Sequence, residues 1–209
     1  MKKLLLILSL PRTLIAYILA RRTKIDEIFQ DLNRFAYGGK KHDKEYLTFS
    51  EVIVFDKCFR NVLEFRLKKG HMLSAVILRV LFPVKKDMEI GRCDVGGGFV
   101  CFHGHGTVIS ANRIGENLSV WQGVTIGRNP KSPKAPTIGN NVSIYTNAVV
   151  AGDITIGNDV QISAGTVVMQ DVPDNSLVIG NPCIIKKKQM KCGYIHTKEK
   201  KKQWIKKES

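Results

Sequence analysis

The sequence predicts a mainly β protein in which a coil of short parallel strands follows an α-helical region and leads into a basic tail. Three observations carry this expectation. Aliphatic residues recur every six positions at Ile114, Val120 and Ile126, then at Ile138, Ile144, Val150, Ile156, Ile162 and Val168. From residue 90 glycines become dense, charges thin out and β-branched residues dominate, whereas residues 1–88 space their apolar side chains as helices do. Charge is also segregated. The 209 residues carry a net +15, with +8 in residues 1–89, −1 in residues 90–185 and +8 in residues 186–209. The expected organisation is a helical region over 1–88, a β coil over 89–185 and a basic tail over 186–209.

The N-terminus comes first. Met1-Lys2-Lys3 and Leu4–Leu10 resemble the start of a signal peptide, but no small-x-small cleavage site follows. Leu4–Ala20 is at the low end for a membrane span. A mid-span Arg12 costs about 2.5–3.5 kcal/mol, and Pro11 is expected to break the helix or restart it. The preferred reading is a helix packed in the protein or lying on a membrane surface. Ile25, Ile28, Phe29, Leu32 and Phe35 then mark a helix that Tyr37-Gly38-Gly39-Lys40-Lys41 ends. Thr48-Phe49-Ser50-Glu51 reads as a capping box opening a helix that continues to Gly70. A last apolar stretch, Met72–Phe82, stops at Pro83.

Period six has a physical meaning. Strand side chains alternate with period two, so six residues hold a short strand and a turn, and three hexads close one triangular coil of about eighteen residues. The aliphatics stack inside as columns, and Gly and Asn accept the corner conformations. The twelve-residue step from Ile126 to Ile138 contains three prolines, so about six residues are expected to leave the coil as a loop.

Composition sets outer bounds. Hydrophobic residues at 44% and charged residues at 24% exclude wholesale disorder. A neutral middle with basic flanks argues against nucleic acid and leaves an acidic partner or an anionic membrane surface. Cys58, Cys93, Cys101, Cys183 and Cys192 form neither a zinc spacing nor a disulfide framework, which fits reduced thiols in the cytosol.

With its hexads, the chain resembles the hexapeptide-repeat acyltransferases, whose fold is a left-handed parallel β-helix. The resemblance alone supplies the handedness, against the usual right-handed crossover. It is similar to the serine acetyltransferase-like branch over about residues 89–185, through GGGFVCFHGHGTVIS, ENLSVWQGVTIG and ISAGTVVMQDVPDNSLVIGNP. Phe59-Arg60-Asn61 and Phe65-Arg66-Leu67 resemble the helical lead-in of relatives from polysaccharide biosynthesis.

The resemblance implies O-acetyl transfer from acetyl-CoA. No third ligand lies at suggestive spacing from the His103 and His105 pair, so no metal is expected. The chain is expected to be cytoplasmic and, because a single prism leaves flat outer faces and half of each groove on a neighbour, a homotrimer. His103 opens the pattern His103-Gly104-His105-Gly106-Thr107-Val108-Ile109 and takes the role of catalytic base. Imidazole suits that role because a hydroxyl attacking a thioester must lose its proton near neutral pH. A carboxylate about one coil upstream orients such a histidine in relatives; Glu89 matches with a one-residue slip and Asp94 is the runner-up. Backbone groups around Thr146, Ala164 and Gly165 are expected to hold the pantetheine arm, with Lys186 or Lys187 near the nucleotide phosphates. Phe102, Trp121 and Gln122 are the expected acceptor-binding residues. Serine acetyltransferases carry Asp before the catalytic His and Arg-His-Pro in the extruded loop; here Phe102 and Lys134-Ala135-Pro136 stand there. A saccharide or glycan hydroxyl is therefore the expected acceptor, serine the alternative and a non-catalytic scaffold the third. The basic flanks suit peripheral association with the inner face of a membrane.

Overall fold

A computed structural model describes residues 1–36, 44–91, 93–129 and 134–188. Five helices precede the strands: α1 (Lys2–Arg22), α2 (Asp26–Phe35), α3 (Glu45–Phe55), α4 (Lys57–Lys68) and α5 (Met72–Leu81). The expected break at Pro11 does not occur. Its ring lies on the exposed side of a continuous α1, and beside it the hydroxyls of Thr13 and Tyr46 both donate to the Leu10 carbonyl, at 2.9 and 2.8 Å.

The capping box at Thr48 is also not formed. The helix α3 starts four residues earlier with Lys44 in the cap position, and Thr48 is buried within it. That start places Tyr46, Phe49, Ser50 and Ile53 on one face, where Tyr17 of α1 packs edge-on against Tyr46 and Phe49. Nor does the helix run unbroken to Gly70. The chain extends at Asp56 (φ −108°, ψ 108°), whose carboxylate accepts from the amides of Cys58 and Phe59 and caps α4. The end at α5 comes just before Pro83, as the sequence predicts.

The remaining strands form a three-faced left-handed β-helix. One face stacks β1 (Met88–Ile90), β4 (Thr107–Ile109), β7 (Thr125–Gly127), β10 (Val149–Ala151) and β13 (Val167–Val168). The second stacks β2 (Asp94–Val95), β5 (Arg113–Ile114), β8 (Thr137–Ile138) and β11 (Thr155–Ile156). The third stacks β3 (Val100–Cys101), β6 (Ser119–Val120), β9 (Ser143–Ile144), β12 (Gln161–Ile162), β14 (Ser176–Ile179) and β15 (Ile184–Lys187). All pairings are parallel except β14 with β15.

The hexad aliphatics form the columns. Ile114, Ile138 and Ile156 are in register, as are Val120, Ile144 and Ile162, and Ile126, Val150 and Val168. All nine are buried. The longer step between Ile114 and Ile138 accommodates the extruded segment between β7 and β8, of which residues 130–133 lie outside the described residues. A second corner is lined by Asn117, Asn141, Asp159 and Asn175, all at positive φ. Here Asn117 donates to Asn141, and Asn141 to Asp159, so side-chain amides link successive coils.

The period does not reveal the first coil. Strands β1–β3 pair with β4–β6, but Ile90 and Val95 are five residues apart while Cys101 and Ile109 are eight apart. The extra length falls at His103–Gly106.

The helices are bonded to this coil through buried charges. Arg66 forms an ion pair with Asp31 (2.9 Å) and donates to the carbonyls of Val95 and Gly96; the Phe99 amide donates to Asp31. Burial pushes the Asp31 carboxyl up, while Arg66 and the Phe99 amide pull it down. Arg34 donates to the Gly98 carbonyl and the Ser119 hydroxyl. The segment Lys198–Lys207 of the basic tail lies outside the described residues.

Candidate active site

The long corner after β3 positions His103. The Gly104 amide donates to the Phe102 carbonyl at 2.8 Å, closing a γ-turn around His103 with φ 65°. Among the described residues of the β-helix, every other positive-φ residue besides glycine is Asn or Asp. Gly104, also at positive φ, is required by close packing: a Cβ there would lie 2.8 Å from Cys58 Sγ and 3.0 Å from Met88 Sδ. The imidazole of His103 is exposed and makes no hydrogen bond among the described residues.

The same corner repeats in each coil. The Gly123 amide donates to the His105 carbonyl, the Asn147 amide to Gln122 and the Gly165 amide to Thr146. His103, Phe102, Trp121, Gln122, Thr146, Ala164 and Gly165 are therefore brought together along one edge of the prism. Trp121 lies between two rings, with Phe102 stacked at 4.6 Å and Tyr145 at 4.5 Å. Both its faces are taken, so Trp121 offers no ring face to a ligand, whereas Phe102 is exposed on its outer side. The Gln122 Oε1 is buried without a hydrogen-bond partner among the described residues. Ala164 and Gly165 are exposed, and a Cβ on Gly165 (φ 67°) would meet nothing within 4 Å. An open corner of small residues fits the approach of a pantetheine arm. Lys186, opposite Leu177 in β15, is exposed at the end of the prism.

The carboxylates depart from expectation. Glu89 lies opposite Val108 in β1, exposed, and no hydrogen bond or ion pair joins it to His103. Asp94 pairs with Lys69 at 3.1 Å. Asp56 is a carboxylate on which the His103 charge acts. Burial pushes its carboxyl up, and the Phe59 and Cys58 amides with the charges of Arg60 and His103 pull it down. Sequence spacing gave no sign of Asp56, which comes from a helix cap in another part of the chain. Spacing also missed Asp87, whose carboxylate meets His105 Nδ1 at 2.8 Å, with Lys85 Nζ 3.1 Å from the same nitrogen. That contact holds the Asp87 carboxyl below the usual range.

Cys101 is unsuited to covalent chemistry. It is buried against Cys58, and the contact with Cys58 together with burial pushes its thiol far up.

A three-faced β-helix with a histidine raised at one corner defines the class: hexapeptide-repeat transferases. The family description "Bacterial transferase hexapeptide (six repeats)" matches residues 135–170. WcaB of Escherichia coli strain K12, named for an acetyltransferase role in colanic acid biosynthesis, is 42% identical over 121 residues, covering 54% of this chain and 75% of that protein. A serine acetyltransferase of Bacillus pumilus strain SAFR-032 is 45% identical over 91 residues, 42% of each chain. The solved serine acetyltransferase of Brucella abortus strain S19 in complex with coenzyme A aligns with a TM-score of 0.60 and 25% identity, covering 78% of this chain and 67% of that one. The chain belongs to the hexapeptide-repeat acetyltransferases and is an acyltransferase.

Proposed function

We propose that this chain transfers an acetyl group from acetyl-CoA to a saccharide hydroxyl, with His103 as the base. The observation that carries the reading is an exposed imidazole, free of hydrogen bonds among the described residues, on a strained turn beside an open corner of small residues. His103 removes the hydroxyl proton as that oxygen attacks the thioester carbonyl. The carbon–sulfur bond then breaks, the acetyl group stays on the acceptor oxygen, and His103 returns the proton to the departing thiolate. Asp56 supports the protonated imidazole electrostatically, in place of the expected Glu89. Ala164 and Gly165 leave room for the pantetheine arm, and Lys186 meets phosphate.

Three features favour a saccharide. The WcaB name points to colanic acid biosynthesis. Phe102 occupies the position where an ammonium-binding Asp would serve serine, and it offers a ring face to a sugar. Lys134-Ala135-Pro136 supplies no histidine for a carboxylate. The serine acetyltransferase relatives favour a second reading, in which other groups bind serine. Thiol release from acetyl-CoA, measured against L-serine and a panel of simple and oligomeric sugars, tests both. Turnover confined to L-serine would overturn the saccharide reading, and no turnover with any hydroxyl would overturn both.

A further inference from the structure

The helix α1 is built inside out. The residues it buries are Ser9, Thr13, Ala16 and Ala20, while Leu4, Ile7, Leu8, Leu14, Ile15 and Ile18 face outward. Leu8 is 71% exposed. The small buried face lets α3 approach closely, and hydroxyls join the two: Ser50 Oγ donates to Thr13 Oγ1, which lies 3.0 Å from Tyr46 Oη. This is how helices pack when their large side chains are committed to an apolar surrounding. Arg12, the only charge between Lys3 and Arg21, turns inward; its guanidinium donates to Ser9 Oγ and lies over the Phe82 ring. The outward face is thus uncharged over most of its length. Next to it, α5 presents a second outward row, with Leu73 75% and Val80 77% exposed beside Val76.

We propose that the outward face of α1, extended by α5, docks in plane on an anionic lipid surface. Charge selects this occupant. Lys2, Lys3 and Arg22 stand at the ends of α1 with no ion pair among the described residues, Arg79 is exposed on α5 although Glu64 of α4 lies 3.5 Å away, and neither helix contains an acidic residue. A second copy docking there would set basic ends against basic ends in either direction, whereas anionic headgroups complement them. Since α3 and α5 occupy the inner side of α1, lipid reaches only the outer side, so the helix lies along the surface and does not cross it.

The test is co-sedimentation of the full chain with vesicles of phosphatidylcholine alone or mixed with phosphatidylglycerol. We expect capture only by the mixed vesicles, weakened by salt and reduced about tenfold or more in Leu8→Asp/Ile15→Asp. Thermal unfolding of that variant should match wild type because both positions are exposed; Leu73→Asp/Val80→Asp, on the other helix, repeats the test if it does not. Failure of the wild type to bind mixed vesicles overturns the proposal. So does unchanged binding by both variants, which would assign capture to the basic tail. A doubling of mass in solution that the same substitutions abolish would assign the face to a second copy and overturn it too. None of these outcomes depends on the acceptor or on His103.

Discussion

At His103 a side chain other than Gly, Asn or Asp holds a turn that favours those residues, so conformation and chemistry can be separated there. Asn tolerates positive φ and cannot act as a base. His103→Asn should lower kcat by about 10²–10⁴ with little change in KM for acetyl-CoA, while its thermal midpoint stays at or above wild type. His105, held by Asp87, is the control: His105→Asn should cost less than about tenfold. The reverse ranking in steady-state rates would make the His105–Asp87 pair the base. Cys101→Ala should stay near wild-type rate, and parallel initial-rate lines for the two substrates would contradict direct transfer. The sequence made His103, Phe102 and Trp121 visible because they sit in one motif or one repeat. It could not show that Trp121 is sandwiched, since Tyr145 stands a coil away, nor that Asp56 approaches the corner.

Among the elements, the regular hexads were legible and the helices only in part. Each column residue repeats the same local demand, so nine positions agree with one another. Pro11 and Thr48 each offered a local signal that packing overrode: hydroxyls flank the proline, and the face shared by Tyr46, Phe49 and Ile53 moved the start of α3. The first coil escaped because its corner is longer. The links between helices and coil carry their own predictions. Asp31→Asn leaves Arg66 as a buried charge facing a neutral amide and should destabilise by about 3–5 kcal/mol in chemical denaturation. Asp56 carries a pH signature. Burial holds its carboxyl above the usual range in the folded chain, so the folded state takes up this proton at higher pH than the unfolded chain does. That contribution to stability is full below the ordinary Asp value and is lost as pH rises through the raised value. Asp56→Asn should flatten this slope in thermal midpoints measured across the mildly acidic range.

For the molecule as a whole, the prism edge with His103 is open on its outer side, and three copies packed around a threefold axis would enclose it. Sedimentation equilibrium should give a trimer, with activity falling on dilution as it dissociates; a fully active monomer would contradict this. The reversed strand β15 has a consequence for growth. A parallel coil is a template whose open end invites the first coil of another molecule, so a stack of prisms could elongate without limit, as a crystal grows along one axis. At one end α4 packs against β1 and β3; at the other, β15 runs antiparallel over β14 and sets Lys186 and Lys187 on the rim. Each molecule thus carries a terminator at both poles; a chain cut before Ile184 opens only the β14 pole and, with α4 still over the first coil, should associate end to end in pairs without elongating, a change that light scattering would register.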